Sequence, residues 1–235
     1  MNIIQKSSRV LGFAFLLQFI TSFASGLFIK PAWYVPENIS ATLLNIAEEP
    51  WLLQINILAD MLTALGVIFL GAILFLTLRE LNEKIALVAL GFYILEAGLL
   101  ASSRIATYSL LPLSQEYLSA GQPEALLPLA NIALESMDFV GDTLHMLAFC
   151  LGGILFYYLL NKSGLVPRAL SLWGLITIFP LLAGTLVAIF DYQLPFILYL
   201  PYVPFEFVIG LWILLKGIPE FHPQFTSPGV ELSTN

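Results

Sequence analysis

The sequence predicts an all-α, polytopic membrane protein: a bundle of six transmembrane helices with both termini on the cytoplasmic side. Three observations predict it. The chain is 59% hydrophobic and only 11% charged, with a mean hydropathy of +0.89, whereas about a quarter of a soluble domain is charged. Six apolar stretches are each long enough to cross a bilayer core of about 30 Å, which takes about 20 helical residues. No run alternates with period two, which argues against a β-barrel.

The first stretch, Val10–Ile29, follows Lys6 and Arg9. Phe23-Ala24-Ser25-Gly26 loosely resembles a cleavage site, but apolar residues continue past it, which favours a retained spanning helix over a signal peptide. In the loop Lys30–Pro50, Ser40 is placed to cap a short amphipathic helix carrying Leu43, Leu44 and Ile46. Trp51–Leu78 and Ile85–Leu110 form the second and third spans, joined by the short loop Arg79–Lys84. In the loop Pro112–Glu135, Pro123 is placed to open a second short helix carrying Leu126, Leu127, Leu129 and Ile132. Such helices lie at the interface or lid the bundle. Ser136–Leu160, Ala169–Phe190 and Pro195–Gly217 complete the set and close a single domain over residues 1–217. The tail, residues 218–235, lacks periodicity and is predicted to be cytoplasmic and disordered.

Basic residues set the orientation. Lys6, Arg9, Arg79, Lys84, Lys162, Arg168 and Lys216 fall on one side, and Lys30 alone lies clearly on the other. The opposite loops are acidic, with Glu37, Glu48, Glu49, Glu116, Glu124 and Glu135. A net charge of −7 makes nucleic acid an improbable partner. The lipid bilayer is the expected one, alongside a small-molecule ligand, and protein partners are not legible. The single Cys150 excludes an intramolecular disulfide and a cysteine metal cluster. Leu70-Gly71-Ala72-Ile73-Leu74-Phe75 matches Leu151-Gly152-Gly153-Ile154-Leu155-Phe156, which hints at a parallel repeat or simply at close packing through small residues.

Charged residues inside a membrane are costly and usually mark function. Counted from the basic end at 1.5 Å per residue, Asp60, Arg104 and Asp142 share a layer at roughly 27–28 Å. His145 lies roughly 22 Å up, and Gln18, Glu96 and Glu206 lie roughly 13–17 Å up, near the midplane. Helical spacing groups Asp138, Asp142 and His145 on one face, and puts Gln18 with Ser22 and Ser25. Asn56, Asp60 and Thr63 form another stripe, and Tyr199, Tyr202 and Glu206 a further one. These stripes predict a polar pocket that opens away from the cytoplasm and is closed at its base. Each residue also has a plainer role. Arg104 and Asp138 can snorkel to headgroups, Arg104 can form a structural ion pair with Asp60 or Asp142, and His145 can be a satisfied core histidine. Glu96 and Glu206 are hardest to dismiss, being deepest and without a visible counter-charge.

Asp142-x-x-His145 resembles half of a helical metal site, with Asp138, Asp142 and His145 as weak candidate ligands. No second histidine lies in a span, so a His-rich catalytic zinc site and a bis-histidine haem are disfavoured, and no cofactor is named by the sequence. A carboxylate-rich divalent site with one histidine fits the ligand set.

Arg9 before the first span, Gly91-Phe92-Tyr93-Ile94-Leu95-Glu96, Leu165-Val166-Pro167-Arg168-Ala169-Leu170, and Glu206 followed by Trp212-Ile213-Leu214-Leu215-Lys216-Gly217 carry a resemblance in their order and spacing. On these the chain resembles the domain-of-unknown-function 4386 family (DUF4386) of bacterial multi-pass membrane proteins over nearly its whole length. The resemblance implies six spans in a bacterial cytoplasmic membrane and no assigned activity. Three functions are open. One is binding or transport of a small cationic or amphipathic molecule against Glu96 and Glu206, which is favoured. The others are an intramembrane enzyme in which Asp142 orients His145 as base or metal ligand, and a structural or accessory subunit.

Overall fold

The computed structural model describes residues 3–192 and 194–218, and the predicted disordered tail from residue 219 lies outside them. The described residues are helical, with no strand among them. In chain order the α-helices are α1 (Ile3–Ala24), α2 (Lys30–Trp33), α3 (Ile39–Glu48), α4 (Pro50–Ser119), α5 (Leu127–Asp138), α6 (His145–Ser163), α7 (Arg168–Ala188) and α8 (Val203–Lys216). Four continuous helical stretches are long and apolar enough to cross a membrane: Arg9–Trp33, Pro50–Ser119, Glu124–Ser163 and Arg168–Ala188.

Pro50–Ser119 is a hairpin. A straight helix of 70 residues would reach roughly 105 Å. Asn82 breaks it, with φ −161° and ψ 98°, and its Oδ1 accepts from the Ile85 N–H at 3.1 Å, capping the second arm. The arms, 50–81 and 83–119, then pack against each other, so that a Cβ placed on Gly71 would lie 3.0 Å from Tyr93 Cβ. A Cβ on Gly152 would lie 2.7 Å from the other side of the same ring, at Cδ2. The two matched Leu-Gly segments therefore clamp one tyrosine, which the close-packing explanation accounts for.

Around this hairpin α1 packs on the first arm and on α8, α6 packs on the second arm, and α7 packs on α6. One large apolar cluster fills the end bearing the basic residues, with Leu11, Phe15, Leu70, Phe156, Tyr157, Phe205 and Ile213 fully buried or nearly so. A second, smaller cluster lies at the opposite end, built on Trp33, Leu43, Ile46, Leu53, Leu110 and Ala130. It is a lid, made by α3 and α5 folding over the tips of the hairpin. Large apolar side chains such as Leu58, Leu65, Ile105 and Leu87 point outward around the bundle. That pattern suits a lipid solvent.

Several boundaries differ from expectation, each for a physical reason. Helix 1 does not end at Ile29. It passes through a π-helical turn, Ser25–Ile29, and continues to Trp33. The second arm of α4 does not stop at Leu110 but runs through Pro112 to Ser119. Its buried stripe Leu110, Leu111, Ser114 and Tyr117 outweighs the one lost backbone bond. Asn38, not Ser40, caps α3, accepting from the Ala41 N–H at 3.0 Å; Ser40 instead meets the Tyr117 hydroxyl at 2.9 Å. Pro123 precedes a 3-10 turn, Glu124–Leu126, and α5 then runs through a π-helical turn, Phe139–Leu144, into α6. The packed face of α5 is Ala130, Ala133 and Met137, while Leu129 and Ile132 point outward. The last helix starts at Val203 rather than Pro195, after a 3-10 turn at Phe196–Leu198. In a helix begun at Pro195, Pro201 and Pro204 would fall in the interior and remove backbone donors, whereas at the start of α8 Pro204 is tolerated in the first turn. At 14 residues, α8 is roughly 21 Å long, short of a full hydrocarbon thickness of about 30 Å.

Candidate functional site

Between the two apolar clusters lies a polar layer, and in it a cavity of about 300 Å³. Gln18, Asp60, Glu96, Arg104, Asp142, His145 and Glu206 all border this cavity. Residues from the first, second, third, fourth and sixth predicted spans are thus brought to one place, with Leu181 of α7 completing the wall. Asp138 does not line it.

The layer is built from two ion-pair groups. Arg104 and Asp60 form a direct buried pair across the two arms of α4. Asp60 also accepts from the Ser25 hydroxyl at 2.5 Å and from Asn56 Nδ2 at 3.3 Å. Asn56 is fixed in turn by Trp33, whose Nε1 donates to its Oδ1 at 3.1 Å, and its Nδ2 also reaches Ser25 Oγ at 2.6 Å. Arg104 places Nε and Nη2 on the Ser103 hydroxyl at 3.0 and 2.8 Å. Arg104 is therefore a structural partner of Asp60 and does not snorkel. The second group was not anticipated. Lys30 reaches Asp138 Oδ1 at 2.9 Å and Asp142 Oδ2 at 3.2 Å, tying helix 1 to the α5–α6 junction.

That pairing corrects two expectations. Asp142 is held by Lys30, while His145 Nδ1 is buried without a hydrogen-bond partner, so the expected orientation of His145 by Asp142 does not form. Among the described residues no three His, Cys, Asp or Glu groups converge as metal ligands, and in the weak ligand set Asp138, Asp142 and His145 the two carboxylates are held together by the Lys30 ammonium.

Gly141, in the π-helical turn, lets Arg104 pass close to the backbone. A Cβ there would lie 2.5 Å from Arg104 Nη2 and 2.7 Å from Ser103 Oγ. Gly141→Ala is expected to displace Arg104 and to lower stability by about 1–3 kcal/mol, the usual range for overpacking. Thermal unfolding in detergent is the check, and an unchanged midpoint would contradict the close approach.

The deeper part of the cavity is different. Only Lys30 and Arg104 among the cavity-lining residues are cationic, and both are engaged in the upper layer. Glu96 and Glu206 lie below them and are buried. Glu206 Oε1 accepts from the Tyr202 hydroxyl at 2.9 Å, and Tyr202 meets the Tyr157 hydroxyl at 2.6 Å. Glu96 Oε2 has no partner, and neither has Gln18 Oε1. Buried polar atoms are almost always satisfied, so these unpartnered acceptors around one cavity call for an explanation.

Sequence reasoning missed Lys30, Trp33 and Tyr157. Lys30 was legible as the only cation clearly on its side of the membrane, and Trp33 lies one helical turn on. Nothing in the sequence tied Tyr157 to Glu206.

Apolar helices folded back on one another, enclosing a polar layer between two apolar clusters, define a multi-pass membrane protein. The chain matches the family model described as "Domain of unknown function (DUF4386)" over residues 10–217. It belongs to that family. Comparisons with curated proteins and with solved structures gave no match.

Proposed function

We propose that the protein binds a small molecule carrying a protonated amine, with the ammonium held against Glu96 and Glu206 in the deep part of the cavity. The observation that carries this reading is the unpartnered Glu96 Oε2, buried in the cavity wall beside Glu206 with no cation at that depth. Gln18 Oε1, likewise unpartnered, is a further acceptor. Acceptors in excess are matched by a ligand that donates hydrogen bonds, and two carboxyl groups are matched by one that carries positive charge. We place the chain in a bacterial cytoplasmic membrane as six spans, counting the arms of α4 separately and α8 as the last. Arg79, Lys84, Lys162, Arg168 and Lys216 then mark the cytoplasmic side. The apolar cluster beneath Glu96 and Glu206 supports a site open on one side only. Movement of the ligand across the membrane would require that cluster to part.

The test is thermal unfolding of the protein in lipid nanodiscs with propylammonium, and with propanol as the neutral control. Propylammonium at 100 times its Kd is expected to add about 2.7 kcal/mol of stability, and propanol none. The combined Glu96→Gln, Glu206→Gln change is expected to remove the effect. Stabilisation that survives this double substitution, or none at all with the wild-type chain, would discard the proposal.

A further inference from the structure

The place where the cavity reaches the surface says what kind of amine fits it. α8 begins only at Val203, whereas α1 and its continuation run to Trp33 and α7 runs to Ala188. Above Val203 the two taller helices therefore stand without α8 between them. The exposed cavity-lining residues Ser22, Phe23 and Gly26 border this gap on the α1 side, and the partly exposed Tyr199 borders it from the segment before α8. Counted from Arg9, Ser22 lies roughly 20 Å and Gly26 roughly 26 Å up. The gap thus opens sideways within a hydrocarbon thickness of about 30 Å, below the headgroups. Irregular backbone at such depth is tolerated where it lines a cavity, and the irregular segment carrying Tyr199 does so.

The edge of the gap is aromatic and continuous with the outside. Phe19 and Phe23 stack with centroids 5.3 Å apart, Phe23 meets Phe28 edge-on at 6.3 Å, and Phe19 meets Phe207 of α8 at 5.8 Å. Phe23 is 40% and Phe28 67% exposed. The cavity, about 300 Å³, sits at the small end of ligand pockets. It suits a head group and leaves no room for a long chain.

We infer that the ligand is a single-chain amphiphile with a protonated amine head, which enters sideways from the leaflet between α1 and α7 and leaves its tail on the Phe19–Phe23–Phe28 track. This rests on the amine-binding reading above and adds the tail and the route. The opening described above meets acyl chains, which favours an amine that carries an apolar tail.

The experiment is photolabelling in nanodiscs with dodecylammonium carrying a diazirine at the tail terminus, read by peptide mapping. Labelling is expected to concentrate on Phe19–Phe28 and Val203–Phe207. The combined Glu96→Gln, Glu206→Gln change is expected to reduce it there to the level seen at Leu58 and Ile105, which face outward elsewhere. Ser22→Trp, which fills the gap from an exposed position, is expected to do the same while circular dichroism stays unchanged. If propylammonium stabilises the protein but tail labels spread evenly over the outward-facing surface, the amphiphile inference is overturned and the amine pocket stands. If neither probe engages the wild-type chain, both fall together.

Discussion

Replacing Asp60 with alanine is expected to destabilise the protein by about 3–5 kcal/mol, because it strands a buried guanidinium. Arg104 is 9% exposed and lies inside the second arm of α4, where its other hydrogen bonds go to a single neighbouring hydroxyl, that of Ser103. Without Asp60 its charge has no counter-ion on the facing arm. Ser25 and Asn56 lose an acceptor at the same time, and Asn56 is the residue that anchors Trp33 under the lid. The loss therefore spreads from the ion pair to the small apolar cluster. The pair itself need not be a large net gain. Replacing Asp60 and Arg104 together by residues of similar size, Asp60→Leu with Arg104→Met, is expected to recover most of the stability, since the desolvation of both charges disappears with them. Chemical denaturation of the two variants in detergent reads the difference. If the single change is as mild as the double, the two charges are not coupled as described.

The polar residues were legible because a membrane interior makes each of them expensive, so that depth and helical phase suffice to bring them to one layer. Gln18, Asp60, Glu96, Arg104, Asp142, His145 and Glu206 lie on five different predicted spans, yet 1.5 Å per residue and 100° per residue place them around one cavity. Pairing was less legible. Arg104 was equally near Asp60 and Asp142 by depth, and the choice depends on Lys30. That in turn depends on the π-helical turns Ser25–Ile29 and Phe139–Leu144, which shift the residues beyond them around the helix axis. Such turns have no sequence signal in an apolar run, though they often occur at functional sites. The lid was half legible. Leu43 and Ile46 gave the buried face of α3, but the face of α5 is alanine and methionine, which hydrophobicity alone ranks below Leu129 and Ile132. The start of the last helix was placed eight residues early, at Pro195, because its apolar run continues through Pro201 and Pro204 without a break. The consequence of the later start, a lateral gap, appears only when α1 and α7 are seen to rise past it.

The second large effect concerns α8, because the site depends on a helix held mainly by one neighbour. α8 packs chiefly on α1 and only lightly on α7. The α1 contact rests on Gly12, where a Cβ would fall 2.7 Å from the Gly210 carbonyl oxygen and 2.8 Å from Leu214 Cα, all backbone. Gly210 is reciprocally close, with a Cβ there 2.9 Å from Phe15 Cβ. Small residues at such crossings let van der Waals packing hold membrane helices together where no hydrophobic force does so. Gly12→Leu is therefore expected to cost about 1–3 kcal/mol or more, since backbone cannot rotate out of the way as a side chain can. The functional loss is expected to exceed the loss of stability. Undocking α8 carries Glu206 and Tyr202 away from Glu96, so propylammonium should no longer raise the unfolding midpoint even where the rest of the bundle stays folded. Gly91→Ala is the matched control. A Cβ at Gly91 meets nothing within 4 Å, and alanine there is expected to be neutral or to gain up to about 1 kcal/mol of helix propensity. A Gly12→Leu protein that unfolds at the wild-type temperature and still responds to propylammonium would show that α8 is held by something other than this contact.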